Sequence, residues 1–356
     1  MNHSTETAHL IKEQYEKYPD LQIRDLLKAL HQSTQGCGHL VKDPSAAADY
    51  IKAEAETVAP ADALQVEPLG NQFCRLHLNG LAASGLSAET LASLFALSAQ
   101  SPGDSAALDT ALDTLLELAR NHELPFQYED VLTTVEQWRK QGLPPVRHSE
   151  TFRSAYAPAY RVLNQNLIPF LPLFAAIDRA MQKKGRLLVA IEGGAAAGKS
   201  TLGLLLQQIY NCNLFHMDDF FLRPEQRTPE RFRQAGGNID HERFREEVLL
   251  PLTQEKSVSY RRFDCGTFQL QPPIEISANA LNIVEGAYSC HPCLSDAYDL
   301  KVFLKVDPHT QAERIRRRND PACQARFFEL WLPMERTYFD TLQIEAQCDL
   351  VLEVKP

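Results

Sequence analysis

The stretch RLLVAIEGGAAAGKSTLGLLLQQI, residues 186–209, decides the fold of the second half of the chain. It opens on a short β-rich apolar run of the kind that a strand buried in a parallel sheet requires. It closes on a helical run, and between them Gly193 to Ser200 (GGAAAGKS) matches GxxxxGK[ST] in full. The residue types suit phosphate chemistry. Small side chains at Gly193, Gly194, Ala195, Ala196, Ala197 and Gly198 let successive backbone N–H groups turn inward around phosphates, and the positive end of the next helix adds attraction. Lys199 is then placed to reach the β- and γ-phosphates of a nucleotide, Ser200 to offer its hydroxyl to Mg²⁺, and Thr201 to cap the first helical turn.

Working outward, a helix is expected around Phe170 to Lys184, and further buried strands at NLFHM (213–217), ALNIVEG (280–286), KVFLKVD (301–307) and DLVLEV (349–354). Helical stretches separate them, which predicts an α/β fold with a parallel sheet covered on both faces. Asp218 and Asp219 follow one strand at its carboxyl end, where open α/β sheets place their ligands, so a carboxylate there is positioned to accept a substrate hydroxyl's proton. Glu285 ends another strand and is a candidate, with Ser200 and Asp218, for holding magnesium or its water. In HTQAERIRRRN (309–319), Arg314, Arg317 and Arg318 share about one helical face, with Arg316 on another. Such a cluster is suited to closing over ATP, neutralising the moving phosphoryl group and excluding water.

The first half reads differently. From Thr5 to about Gln141 it consists mostly of short amphipathic helices, among them LQIRDLLKALHQ (21–32), SAETLASLFALSA with Ser87 as a cap, and ALDTALDTLLELAR. One run, FCRLHL (73–78), alternates like a strand. GLPPVRHSE (142–150) is rich in helix breakers, and the domain change is placed near residue 165, giving a mainly helical domain, 1–165, and a P-loop domain, 166–356. His39, Arg75, His148, Arg153, Tyr156 and Arg161 are read either as an anion pocket or as a satisfied polar patch.

Bulk properties narrow the function classes. A chain of 356 residues exceeds one ordinary core, and 44% apolar with 23% charged residues is the composition of a chain that folds unaided. A net charge of −10 disfavours nucleic acid as a partner. No apolar run approaches bilayer length and the start MNHSTETAH is no secretory signal, so the expectation is a cytoplasmic protein without a membrane partner, with a homo-oligomer left open. The eight cysteines are scattered and read as reduced thiols, and CHPC, with Cys290 and Cys293, reads as a coincidental spacing.

The ordered motifs GGAAAGKST, HMDDFF, GGNIDHERF, VEGAYS and RIRRRN resemble the uridine kinase-like branch of P-loop kinases. That branch includes uridine kinases, phosphoribulokinases, bacterial pantothenate kinases and plant-type glycerate kinases. The resemblance covers about residues 185–356 and implies ATP and Mg²⁺ as cofactors, with phosphoryl transfer to a hydroxyl of a small metabolite, a nucleoside or another small polyol or acid. By that similarity Asp218 matches the catalytic carboxylate, and Asp240 matches the aspartate that binds sugar hydroxyls. Glu285 matches the acidic residue after the second motif strand. Lys199 and Arg317 are taken as further catalytic groups, Arg314 and Arg318 as nucleotide contacts, and Asp219, Tyr260, Glu285 and His291 as acceptor-side residues.

Two departures qualify the resemblance. Where nucleoside kinases of the group carry YDFxxH, this chain has YRRFDC (260–265): Tyr260 remains and the histidine does not, so uridine is one candidate among several. Asp320 follows Asn319 directly, so the spacing leaves open which arginine closes the lid. A second class also stands, an ATP-sensing regulator with the helical domain as its output. A GTPase switch is weaker, because no NKxD-type motif follows the loop.

Overall fold

The computed structural model describes residues 3–38 and 44–354, so the candidate His39 lies outside the described residues. The chain divides into two compact units, Met1–Leu171 and Pro172–Pro356. Among the described residues no helix is long and apolar enough to cross a membrane.

In the first unit, helices form where capping and apolar spacing agree. Ser87 accepts from the Thr90 N–H at the start of the helix Ala88–Ser98, and Asp104 does the same from Ala107 for Ser105–Arg120. The latter buries Leu108, Leu112, Leu115 and Ala119, one stripe at helical spacing. The helices accompany a small antiparallel sheet in the order β1 (Val66–Pro68), β2 (Phe73–His77), β3 (Tyr160–Asn164). The strand expected at 73–78 is present, but its alternation does not carry over into burial. Phe73, Cys74, Arg75 and Leu76 are all buried, because β2 is the middle strand and both its faces are covered.

Burying Arg75 and its neighbours demands partners, and the fold supplies them. Glu67 accepts from Arg75 Nη1 at 2.6 Å, Gln14 Nε2 at 2.9 Å and the Tyr18 hydroxyl at 2.6 Å. Asp25 is also buried. It accepts from His148 Nδ1 at 2.8 Å and from the Ser149 amide and hydroxyl at 2.9 and 2.6 Å. Arg153 pairs with Glu150 and Arg161 with Glu54, while the Tyr156 hydroxyl bonds Asp20. Each described arginine of the anion-pocket reading therefore already holds a carboxylate, and the satisfied-patch reading fits these residues.

In the second unit all five expected strands form and pair in parallel: β4 (Leu187–Gly193), β5 (Asn213–His216), β8 (Leu281–Glu285), β9 (Leu300–Val306) and β10 (Leu350–Val354). Their order is β10-β9-β4-β8-β5. β4 and β8 are buried along their whole length, as the apolar runs require. From β4 the chain leaves to one side to build β5, and from β8 it crosses to the other to build β9. A crevice therefore opens beyond the carboxyl ends of the central strands.

A hairpin, β6 (Val258–Asp264) and β7 (Gln269–Ile276), precedes β8. It is not among the expected strands. Pro272 and Pro273 interrupt β7, which only a strand with a free edge tolerates, and a register shift between Arg261 and Phe263 breaks the alternation of β6.

Candidate nucleotide and acceptor cavity

Gly193 ends β4 at φ 146°, where a Cβ would stand 2.5 Å from the Leu304 carbonyl oxygen, so only glycine lets the chain pass β9 this closely. Ala196 takes a left-handed φ of 59°, and Gly198, at φ 100°, is the N-cap of the helix Lys199–Ile209. Alternating hands of this kind turn backbone amides toward one point. Thr201 does not cap the helix as expected; it is the third helical residue, and the turn at Gly198 starts the helix without a side-chain cap. Lys199 lies back over the loop, donating to the carbonyls of Gly193 and Gly194 at 2.8 and 3.0 Å.

The loop opens on a cavity of about 580 Å³ lined by Ala195, Ala196, Gly198, Lys199, Ser200 and Thr201 on one side, with Asp218, Glu285, Ala287 and Tyr288 beyond. Gly193, Gly194 and Ala197 shape the loop without lining the space. Asp218 sits in the turn Met217–Phe220 directly after β5. Gly286, at φ 142°, lets the chain after β8 come against Met217, and a Cβ there would stand 2.6 Å from the methionine's Cβ. Desolvation raises the pKa of Asp218; Lys199 opposes that and Glu285 adds to it. Glu285 is committed at Oε1 to His216 Nδ1, and that bond raises the histidine's pKa.

Glu335, which the sequence reading did not single out, also lines the cavity. It lies on the helix Leu332–Leu342, is 7% exposed, and accepts from the Ala195 amide at 2.9 Å. Its carboxylate occupies a loop N–H of the kind that a phosphate oxygen would take, and burial raises its pKa. The donor set fits the implied groups. A loop amide already holds an anion, and Ser200, Asp218 and Glu285 offer hard oxygen donors of the kind Mg²⁺ prefers.

The arginines divide. Arg318 lines the cavity, stacked 5.6 Å over Phe327, and Arg314 reaches the Ala196 carbonyl at 3.4 Å. Arg317, taken as catalytic, is exposed and lines no part of the cavity, because the helix Pro308–Arg318 turns it to solvent. Arg326, Phe327 and Trp331 stand there instead, brought in by the π-turn Phe327–Trp331.

Of the expected acceptor residues Glu285 lines the cavity, whereas Asp219, Asp240, Tyr260 and His291 do not. Asp240 is buried at 1% exposure, where it caps the helix His241–Phe244 and faces Arg243 and Arg223. Tyr260 stacks on Phe220 and gives its hydroxyl to Asp219 at 3.0 Å, and Arg262 pairs with the same carboxylate. His291 stacks on His241 and Tyr338. Local motif order identified these side chains, but burial and pairing, which depend on neighbours distant in sequence, turned them inward. Asn238, Arg227, Phe221, Cys265 and Phe268 line the cavity instead.

Glu192 is a further residue missed. It is fully buried behind the loop and accepts from the amides of Gly193, Tyr288 and Cys290 at 2.9, 3.0 and 3.0 Å and from the Tyr338 hydroxyl at 3.0 Å. A lone carboxylate ending an apolar strand was the available signal. As for CHPC, Cys290 is buried and Cys293 exposed. Cys293 lies near His241 and His291, with ligand-type atoms within 4.8 Å of one another, and the two rings are stacked 15° from parallel.

No family model and no curated protein matches the chain. Among solved structures it is similar to a possible uridine kinase from Bacillus stearothermophilus, at 21% identity and a TM-score of 0.39, over 51% of this chain and 98% of that one. It is similar to a protein described as a fructose transport system kinase from Silicibacter sp. TM1040, at 25% identity and a TM-score of 0.39, over 47% and 89%. A shikimate kinase from Bacteroides thetaiotaomicron matches at 19% identity and a TM-score of 0.28, over 47% and 86%.

Proposed function

We propose that the second unit is an ATP- and magnesium-dependent kinase that phosphorylates a hydroxyl of a small metabolite. The observation that carries this is Asp218, a carboxylate with raised pKa that lines the same cavity as the GGAAAGKS loop. In this reading the loop amides and Lys199 hold the triphosphate, and Lys199 exchanges its two carbonyl partners for phosphate oxygens. Ser200, Asp218 and Glu285 would hold magnesium, which when bound offsets phosphate charge.

Asp218 takes the proton from the acceptor hydroxyl, and its raised pKa makes it the stronger base. Arg318 and Arg326 neutralise charge on the transferred group, while Phe327 and Trp331 exclude water. The test is phosphoryl transfer by Asp218→Asn and Lys199→Ala over a panel of nucleosides, sugars and hydroxy acids. Asp218→Asn is expected to lower kcat by roughly a hundredfold or more with ATP affinity nearly intact. Lys199→Ala is expected to weaken both. Undiminished turnover in Asp218→Asn, or normal ATP affinity in Lys199→Ala, overturns the reading.

A further inference from the structure

Besides Lys199 of the loop, the cationic side chains in the cavity wall belong to two structural groups. Arg318 ends the helix Pro308–Arg318, whose Gln311 and Arg314 bond the loop carbonyls of Ala195 and Ala196 at 2.8 and 3.4 Å, and Arg326 ends the next helix, Pro321–Arg326. They are tied to the phosphate end. Arg227 comes from the other side, in the segment that follows the Asp218 turn.

Its Nε donates to the Leu222 carbonyl at 2.9 Å, and its guanidinium lies 4.9 and 5.8 Å over the rings of Phe268 and Phe263 at the hairpin. That leaves the plane oriented and its outer nitrogens without a carboxylate partner among the described residues. Elsewhere in this segment Arg223 pairs with Glu225 and Arg231 with Glu242. Asn238 stands in the same wall. Its amide nitrogen is turned to the Tyr288 oxygen, while its Oδ1 is buried with no hydrogen-bond partner. A buried acceptor atom left unpaired is costly unless a ligand donor meets it.

Resting on the kinase reading above, we infer that the acceptor is an anionic polyol: Arg227 holds its carboxylate or phosphate group, and Asn238 Oδ1 accepts from one of its hydroxyls, presenting another hydroxyl to Asp218. A planar guanidinium fork is matched to a carboxylate or phosphate and gains little from a neutral sugar or nucleoside. The stacked phenyl rings hold the fork in place, so less freedom is lost when the anion docks. Arg227 is thus the specificity-determining residue of the acceptor side, and it acts on binding rather than on the transferred phosphoryl group.

The experiment uses the full chain with Mg²⁺ and matched acceptor pairs: glycerate against glycerol, gluconate against glucose, ribose 5-phosphate against ribose, and uridine as a neutral nucleoside. Calorimetric binding in the presence of a non-hydrolysable ATP analogue is measured beside turnover. The carboxylate and phosphate members separate the two sources of the anion. The wild-type chain is expected to bind at least one anionic member about 10- to 100-fold more tightly than its neutral mate, and Arg227→Gln to abolish that preference through KM, with ATP affinity unchanged.

Arg227→Lys should recover part of the binding, and Asn238→Ala should weaken the acceptor without changing the charge preference. A melting temperature for Arg227→Gln close to that of the wild type excludes misfolding as the cause. Phosphorylation of neutral members as well as anionic ones, unaffected by Arg227→Gln, overturns the anionic-acceptor inference and leaves the kinase reading standing. Absence of both ATP binding and anion binding overturns the two together.

Discussion

Around Glu67 in the first unit, buried charge is paired on every side: Arg75, Lys17, Tyr18, Gln14 and His77 all reach one carboxylate. In the second unit the Asp218 carboxylate, by contrast, is accessible and lines an open cavity. Its wall also contains a cation without a carboxylate partner, Arg227, and an unpaired amide oxygen, Asn238 Oδ1. The directions of the pKa shifts follow. Partners hold Glu67 far below the usual carboxylate range despite burial, whereas desolvation prevails at Asp218, Glu335 and Glu192 and raises all three. A charge whose neighbours within the fold already satisfy it is structural. One left unsatisfied in a cavity is available for a ligand.

The largest effect should come from breaking the paired cluster. Arg75→Met leaves Glu67 buried without its cationic partner and is expected to destabilise the first unit by about 3–5 kcal/mol. Hydrogen exchange across Phe73–His77 in urea checks this, and the double variant with Glu67→Met should recover much of the loss. A small cost for the single variant would mean that the cluster is not the structural element described.

Next, Asp218→Asn, which should raise the barrier to transfer by about 3 kcal/mol, is expected to leave the melting temperature unchanged or higher, because its carboxylate is exposed and like-charged Glu285 lies near it. A marked loss of stability would place Asp218 with the paired carboxylates. Calorimetric melting separates the two outcomes.

The units should also respond oppositely to pH. Glu192 is raised from 4.5 to about 7 by burial, so the folded state binds more protons in that interval. Stability there should fall as pH rises through it, by of the order of 3 kcal/mol in all. His148 is lowered from 6.5 to about 4 by burial, so the unfolded state binds more protons, and stability of the first unit should rise between pH 4 and 6.5. Hydrogen exchange of the Tyr288 and Cys290 amides against that of β2, followed from pH 4.5 to 6.5, should slope in opposite senses.

The smallest effect concerns Glu335. Glu335→Gln removes a like charge from the phosphate end while keeping an acceptor for the Ala195 amide, and should tighten ATP binding several-fold, about 1 kcal/mol. Titration calorimetry with ATP measures it, and weaker binding would show that the carboxylate serves the nucleotide directly.

Much of this was legible in the chain because it is local. GGAAAGKS carries its own turn chemistry, and each apolar run of the parallel sheet is long enough to announce burial, so the loop, the five strands and the position of Asp218 after β5 followed from sequence alone. The hairpin β6–β7 did not, since prolines and a register shift removed its period. Nor did the identity of the wall. Glu335 meets the loop across 140 positions, and Arg227, Asn238 and Phe268 converge only when the hairpin and the segment after β5 fold onto the same space.

Motif order pointed to Arg317, Asp240 and His291, whereas packing turned the first to solvent, buried the second and stacked the third, half-buried, on His241 and Tyr338. The sequence by itself determined the turn of the GGAAAGKS loop and its place after β4, because backbone turns and strand burial depend on neighbours a few residues away. Which side chains face that loop was left to the tertiary structure, since desolvation and pairing are properties of atoms brought together from distant parts of the chain.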